Sequence, residues 1–318
     1  MSVGGEEQAH GLEPKVTRAF VVMNSKSGSS KPIEARRALD RHFGAEGISF
    51  EVYEPSRDEP LNERIRAAIA SGCGLVVAAG GDGTVSSVAD ALVGTTTPLG
   101  IIPMGTANVL AGELGIPFNL DGACRLLAGR HALAAIDAME LEGRIYVTQI
   151  GVGLDAAMIR DTPDAEKRRF GRLAYMRTAA FHLAGLPALQ FTLQVDGATT
   201  HPRALQVLAA NSGTLGRRPF RWGPNIKPDD GVLNVCVIRA RSLLDFLSIG
   251  WHFLIGRHRR HPNVRYLSAT REITIATKHP LPVQADGEIV GQTPITIRLL
   301  AKAFKVVVPL SAHHAASP

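Results

Sequence analysis

A chain of 318 residues, 45% hydrophobic and 20% charged, has the make-up of a soluble globular protein and enough apolar material for one large domain or two ordinary ones. An aromatic content of 5% argues against a stacking platform for single-stranded nucleic acid, and the three scattered cysteines (Cys73, Cys124, Cys236) form neither a disulfide framework nor a metal-ligand set. The net charge of +6 suits an anionic nucleotide, an anionic membrane surface or simple solubility, and no apolar run reaches the ~18 residues of a spanning helix.

Residues 1–15 read as a polar, disordered leader without the apolar core of a signal peptide. From there strands and helices alternate. Ala19 to Met23 is a strand, Ile33 to Phe43 a helix, Ile48 to Tyr53 a strand, and Leu61 to Ile69 one face of a helix. Leu75 to Ala79 is a third strand. Val85, Val88, Ala89, Leu92 and Val93 then recur at helical spacing. Leu99 to Ile102 is a fourth strand, and a fourth helix is expected over Thr106 to Leu114. Such alternation implies crossover units and a parallel sheet, with ligands beyond the carboxyl ends of the strands.

After about residue 131 the texture becomes all-β. Apolar runs recur at 135–141, 145–150, 189–195, 204–210, 232–238, 272–276, 295–300 and 303–308. Asp196-Gly197, Asp230-Gly231 and Asp286-Gly287 are tight-turn signals between them. Two helical stretches, about 155–184 and 242–257, interrupt this region. The expected organisation is a leader at 1–15, an α/β domain at 16–132, an antiparallel β domain at 133–310 and a tail at 311–318. The fold class read from these patterns is α/β plus all-β.

The chemistry concentrates in polar loops. Gly80-Gly-Asp-Gly-Thr84 joins a strand to a helix, where free N–H groups and close-approaching backbone favour phosphate. Asp82 in such a loop repels phosphate unless a divalent cation lies between them. Asn24-Ser-Lys-Ser-Gly28 ends the first strand, with Lys26 able to add charge. Pro103-Met-Gly-Thr-Ala-Asn108 ends the fourth, with Thr106 at the expected helix start. No Walker loop is present. Gly151-Val-Gly-Leu-Asp-Ala156 reads as a close-packed strand end or a partial dinucleotide fingerprint. Asp229-Asp230-Gly231 reads as a turn or a site for a hard cation. Asp286-Gly287-Glu288 reads as a hairpin turn whose carboxylates could include a general base. From Phe246 to Arg260 an apolar stretch runs into a basic cluster, with a second basic run at Lys167-Arg-Arg169; this suits either a buried helix with a charged end or a membrane interface. No recognised nucleic-acid-binding motif is present.

Taken in order, these motifs resemble the bacterial diacylglycerol kinases and related lipid kinases, which share a catalytic domain with sphingosine and ceramide kinases. The resemblance spans about 17–310 and implies a Rossmann-like three-layer α/β nucleotide-binding domain at 16–132 followed by an antiparallel β-sandwich lipid-substrate domain at 133–310. It implies ATP and Mg²⁺ as cofactors, with Asn24, Ser25, Lys26, Ser27, Gly28, Gly80, Gly81, Asp82, Gly83, Thr84, Val85, Ser86 and Thr106 contacting nucleotide. It implies Glu288 as proton acceptor with Asp286 as close rival, Asp82 as organiser of Mg²⁺, and Asp230 holding a structural cation with the carbonyls of Lys227 and Val232. The implied activity is phosphoryl transfer from ATP to a lipid hydroxyl by a cytoplasmic enzyme at the inner face of the cell membrane. The alternatives are an NAD-kinase-like enzyme with a soluble acceptor and a non-catalytic lipid-binding protein. An exposed sheet edge would also allow a homodimer. Three positions depart from the family pattern: Ser25 replaces proline, Ser86 replaces asparagine, and Val52-Tyr-Glu-Pro55 lacks the usual threonine.

Overall fold

The computed structural model describes residues 16–24, 31–55, 60–161, 189–214, 226–240, 243–254, 257 and 261–310. The leader, Ser25 to Gly28, the basic run at 167–169 and the tail lie outside the described residues, as does most of the helical stretch expected at 155–184.

The first half is a parallel sheet sandwiched by helices. Its strands are β1 (Arg18–Met23), β2 (Ser49–Tyr53), β3 (Leu75–Gly80) and β4 (Leu99–Pro103), in the spatial order β2-β1-β3-β4. Its helices are α1 (Lys31–Glu46), α2 (Leu61–Ala70), α3 (Asp82–Leu92), the short α4 (Val109–Glu113) and α5 (Leu120–Ala128). β1, β3 and β4 are apolar almost without interruption because both faces of the sheet are covered. Ala19, Val21, Leu75 and Val77 pack against Leu39 and Phe43 of α1 and Leu127 of α5. Phe20, Val22, Val76 and Ala78 pack against Ile65 of α2 and Val85, Val88 and Leu92 of α3 on the other side.

The second half contains β5 (Ala132–Leu141), β6 (Arg144–Tyr146), β7 (Gln149–Gly153), α6 (Leu154–Asp161), β8 (Leu189–Val195), β9 (Ala198–Thr200), β10 (Arg203–Ala204), β11 (Gln206–Ala210) and β12 (Leu233–Ile238). It continues with α7 (Leu243–Leu254), β13 (Val264–Ala269), β14 (Glu272–Thr277), β15 (Pro282–Ala285), β16 (Glu288–Gln292) and β17 (Ile295–Val308). An antiparallel sheet in the order β13-β12-β11-β7-β15-β16 forms one layer of a sandwich. Its inner face (Ile150, Val152, Val207, Val235, Val283) meets Phe191, Leu193, Ile273, Ile275 and Ile297 of the other layer. That other layer is continuous with the parallel sheet, because β17 pairs with β5 and β14 antiparallel and with β4 parallel at Val306 and Leu99.

The two apolar runs expected at 295–300 and 303–308 are one strand. Lys302 adopts a left-handed φ of 50°, the pairing register shifts between Leu300 and Phe304, and the Lys302 N–H donates to Asp137 Oδ1 at 2.7 Å. The bulge reverses the inside–outside alternation, so the sequence looks broken although the strand is not. Fully buried Asp137 also accepts the Gly231 N–H at 2.7 Å, which ties the 229–231 turn to β5.

Candidate active site

Three strand ends of the parallel sheet meet where the sequence places its polar loops. Asn24 follows β1; its N–H donates to Ala79 O at 3.0 Å, and its Nδ2 lies 3.5 Å from Thr84 Oγ1. Met104 N–H donates to Gly80 O at 2.8 Å, joining the ends of β3 and β4. Gly81 and Gly105 touch back to back: a Cβ on Gly105 would lie 2.6 Å from Gly81 Cα. Gly80 is required for a different reason, since any Cβ there would collide with the Thr84 side chain. The glycines thus allow two loops to stack into one wall.

Asp82 opens α3 and binds the neighbouring loop. Its Oδ1 accepts the Val109 N–H at 2.6 Å and so caps the first turn of α4. This moves the helix start. Asn108 is left-handed (φ 49°, ψ 54°), so the helix expected from Thr106 begins at Val109, and Thr106 stays exposed in the loop. Burial pushes the Asp82 carboxyl up to about 6, reinforced by the negative charge of Asp286 and opposed by backbone N–H donors.

The opposite wall comes from the β15–β16 hairpin. Asp286 (φ 47°) and Gly287 (φ 91°) form its two-residue turn, and both left-handed residues match the Asp-Gly signal. Asp286 faces inward and is saturated. Its carboxylate accepts the N–H groups of Val147 (2.9 Å), Thr148 (3.0 Å) and Gln149 (3.0 Å), together with the hydroxyls of Thr148 and Ser86. Ser86 belongs to α3, and the other four donors come from the β6–β7 connection and the first residue of β7. Asp286 is therefore a clamp between the two halves of the molecule. Ser86, expected at the nucleotide, is buried and donates to Asp286 instead. Val85 is also turned inward: its side chain is in the core and its N–H donates to Gly81 O.

Glu288 is exposed at the start of β16 and points across the gap. A Cβ on Gly83 would lie 3.2 Å from Glu288 Oε1, so this carboxylate rests against the first turn of α3. A cleft of ≈ 320 Å³ runs from that point along α3, with Gly83, Asp90, Leu61, Arg144, Tyr146 and Glu288 among its walls. Asp90 steadies it by accepting from Asn62 Nδ2 at 2.7 Å and from the Ile145 N–H at 3.2 Å.

The 151–156 motif supports the hairpin from below. Asp155 Oδ2 accepts from Gln284 Nε2 at 2.8 Å, and Gln284 Oε1 accepts the Gly287 N–H at 3.2 Å. Only glycine fits at 151, because a Cβ there would occupy the place of the Asp155 carboxylate. Gly153 (φ 120°) lies against the Leu205 carbonyl. The motif is a close-packed strand end, and burial raises the Asp155 carboxyl to about 6.

Comparison with known proteins bears on the family and the fold. A model of the diacylglycerol kinase catalytic domain matches residues 18–141. The model of the YegS C-terminal NAD kinase beta sandwich-like domain matches residues 148–308, half of the chain. The chain belongs to the diacylglycerol kinase family. It is 26% identical to a diacylglycerol kinase of Bacillus subtilis over 92% of this chain and 96% of that one. It is 29% identical to an uncharacterized protein of Synechocystis over 93% of this chain and 71% of that one. A solved diacylglycerol kinase structure from Bacillus anthracis superposes with a TM-score of 0.76 at 23% identity, covering 94% of this chain and 99% of that one, and shares the fold.

The cations that the diacylglycerol kinase family implies can be compared with the residues present. Asp82 fits a divalent ion: it is half-buried beside the glycine-loop backbone, burial and then the charge of Asp286 raise its proton affinity, and a cation would relieve both penalties. The 227–232 turn fits more loosely. Asp230 Oδ1 accepts the Val232 N–H at 3.0 Å, and burial together with the charges of Asp137 and Asp229 raises its carboxyl. Among the described residues no group of three His, Cys, Asp or Glu side chains could hold a metal, so an ion there would rely on carbonyl oxygens and water.

Proposed function

We propose that this protein is an ATP-dependent lipid kinase that transfers the γ-phosphoryl group of ATP to the hydroxyl of diacylglycerol or a related lipid. One observation carries the reading: a free carboxylate, Glu288, reaches across the cleft to Gly83 in the glycine loop of the opposite half. Phosphoryl transfer needs little covalent help from protein, only positioned phosphate, neutralised charge and an acceptor for the hydroxyl proton. Backbone around Gly80 to Thr84 and the 103–106 loop would cradle the phosphates, with Asn24 beside them. Lys26 would add charge from residues outside the described set.

In the step, the lipid O–H gives its proton to Glu288 while its oxygen bonds to the γ-phosphorus. The bond from that phosphorus to the β–γ bridging oxygen breaks, and ADP leaves. Asp82 would hold Mg²⁺, which when bound neutralises phosphate charge and polarises the phosphoryl group. Glu288 is the residue for the proton because it is exposed in the cleft, whereas both oxygens of Asp286 are engaged. Lys227, Asp230 and Val232 would hold a second, structural cation away from the chemistry.

A radiolabelled ATP assay across diacylglycerol, other lipid alcohols and NAD tests the assignment. Label in a lipid, lost in D82A and E288A, is the expected result. Label in NAD alone would replace the lipid assignment with the NAD-kinase-like one. Lipid binding without any turnover would leave a non-catalytic binding protein. Full activity in both variants would remove the mechanism.

A further inference from the structure

Among the described residues, two of the most exposed large apolar side chains lie on one helix. Leu244 is 77% and Trp251 60% exposed on α7. Seven residues separate them, two helical turns or ~10 Å, so they form one stripe. Ile249, roughly half a turn around the helix, is buried against Leu208, Cys236, Ile238 and Val264 on the outer face of the six-stranded sheet. The flank of α7 is tied down as well. Asp245 Oδ1 accepts from Asn263 Nδ2 at 3.3 Å, His252 Nδ1 bonds the Ser248 carbonyl at 2.7 Å, and the rings of His252 and His261 meet at 4.8 Å. The outward stripe is therefore held in a fixed orientation by a packed inner face.

The chain just beyond the stripe is basic. The Arg257 N–H closes the helix end on the His252 carbonyl at 2.8 Å, and its side chain is exposed. The sequence from Arg257 to His261 adds two more arginines, and the whole chain carries +6. The acid on this helix, Asp245, is turned toward Asn263. An exposed tryptophan and leucine backed by Arg257 complement an anionic lipid surface, with the indole at headgroup level and the guanidinium on phosphate. No described helix is long and apolar enough to span a bilayer, so contact through α7 would be interfacial.

We propose that the Leu244–Trp251 face of α7, with Arg257, docks this protein on an anionic membrane. The proposal rests on the lipid-kinase reading for its purpose, because a lipid acceptor must be met at a bilayer. α7 lies on the outer face of the same sheet whose edge hairpin carries Glu288, so docking and chemistry share one rigid layer.

The test uses the full chain with Trp222→Phe, which leaves Trp251 as the sole tryptophan. With phosphatidylcholine vesicles containing phosphatidylglycerol, Trp251 emission should shift to the blue, and the shift should fade with added salt. L244S and, in the parent chain, W251S should each weaken co-flotation with those vesicles by roughly tenfold. R257E should weaken it on anionic vesicles only. Circular dichroism checks that each variant remains folded, and label transfer to a detergent-dispersed short-chain diacylglycerol should be unchanged. Emission already blue without vesicles would mean that a second copy or this chain itself covers the stripe, and would overturn the proposal. So would equal binding to pure phosphatidylcholine, or undiminished binding by L244S and W251S. Failure to label dispersed lipid while docking persists would overturn the kinase reading and leave the docking face intact.

Discussion

The two acidic loops that face each other across the cleft use the same residue type in opposite ways. Asp82, on the α/β side, has the Val109 N–H on one oxygen and sits where burial and a neighbouring carboxylate oppose its charge. Asp286, on the sandwich side, is held by three N–H groups and two hydroxyls. The first is an anion kept under-compensated beside the glycine loop. The second is an anion compensated so fully that it works as a fastener. Charge alone does not mark a reactive group; the donors already spent on it do.

The sharpest way to break this contrast is to remove the two carboxylates proposed to act in the step. Asp82→Ala and Glu288→Gln should each lower kcat for lipid phosphorylation by about 10²–10⁴-fold. Circular dichroism and melting should stay close to wild type for Glu288→Gln, whose carboxylate is exposed. If either variant kept more than a tenth of the activity, its role in the step would be lost.

Removing the fastener should act on the fold first. Asp286→Asn keeps the shape but aims an amide at donors that need an acceptor. Hydrogen bonds to a charged group are worth about 1.5–3 kcal/mol each, and an unmatched buried donor costs a similar amount, so a stability loss of about 3–5 kcal/mol is expected in urea titration. Asp286 joins Ser86 of α3 to the β6–β7 connection, so proteolysis should reach the cleft more readily in this variant. An unchanged denaturation midpoint would contradict the clamp.

Much of the fold could be read in the chain because both periodicities are strong there. Uninterrupted apolar strands alternating with helical spacing left one architecture for the first half, and Asp-Gly pairs marked the 196 and 286 hairpins. The site was legible less evenly. Asp286 and Glu288 share one turn motif, and nothing local says which carboxylate points inward; that depends on Val147 to Gln149, about 140 residues earlier. Ser86 fits a nucleotide loop by position, yet it faces a partner 200 residues away. The helix start at Val109 depends on Asp82 as a cap from another loop. α5 is marked by Asn119, whose side chain accepts the Gly122 N–H at 2.6 Å, a cap signal that lies outside the glycine-bearing loops. β13 (Val264–Ala269) lacks clear alternation and was invisible for that reason.

A gentler variant sharpens the comparison without dismantling either loop. In Asp155→Asn an amide would face the Gln284 amide, Gln284 would turn over, and its Nε2 would then meet the Gly287 N–H. The hairpin that aims Glu288 would lose one support while its chemistry stayed intact. The expected result is a roughly tenfold fall in kcat with KM nearly unchanged, the pattern of a misplaced rather than missing group. A changed KM with normal kcat would assign Asp155 to binding instead.

The smallest effect separates the two aspartates by pH. The Asp82 carboxyl sits at about 6, above its ordinary value of 3.8, so the fold binds this proton more tightly than the unfolded chain. The stability gained is fully present below about pH 4 and is lost as pH rises through 6, leaving the anion a burden at neutral pH. Asp82→Asn should therefore raise the stability of the nucleotide-free protein by about 1–3 kcal/mol at pH 8 and by almost nothing at pH 4, while abolishing turnover. Asp155 is raised to a similar value, so the variant should retain part of the pH slope. Mg²⁺ with ATP should reverse the ranking at pH 8, stabilising the wild type and not the variant. If Asp82→Asn were instead destabilising at pH 8 without ligand, its charge would be serving the fold, and the distinction between a strained aspartate and a fastening one would fail.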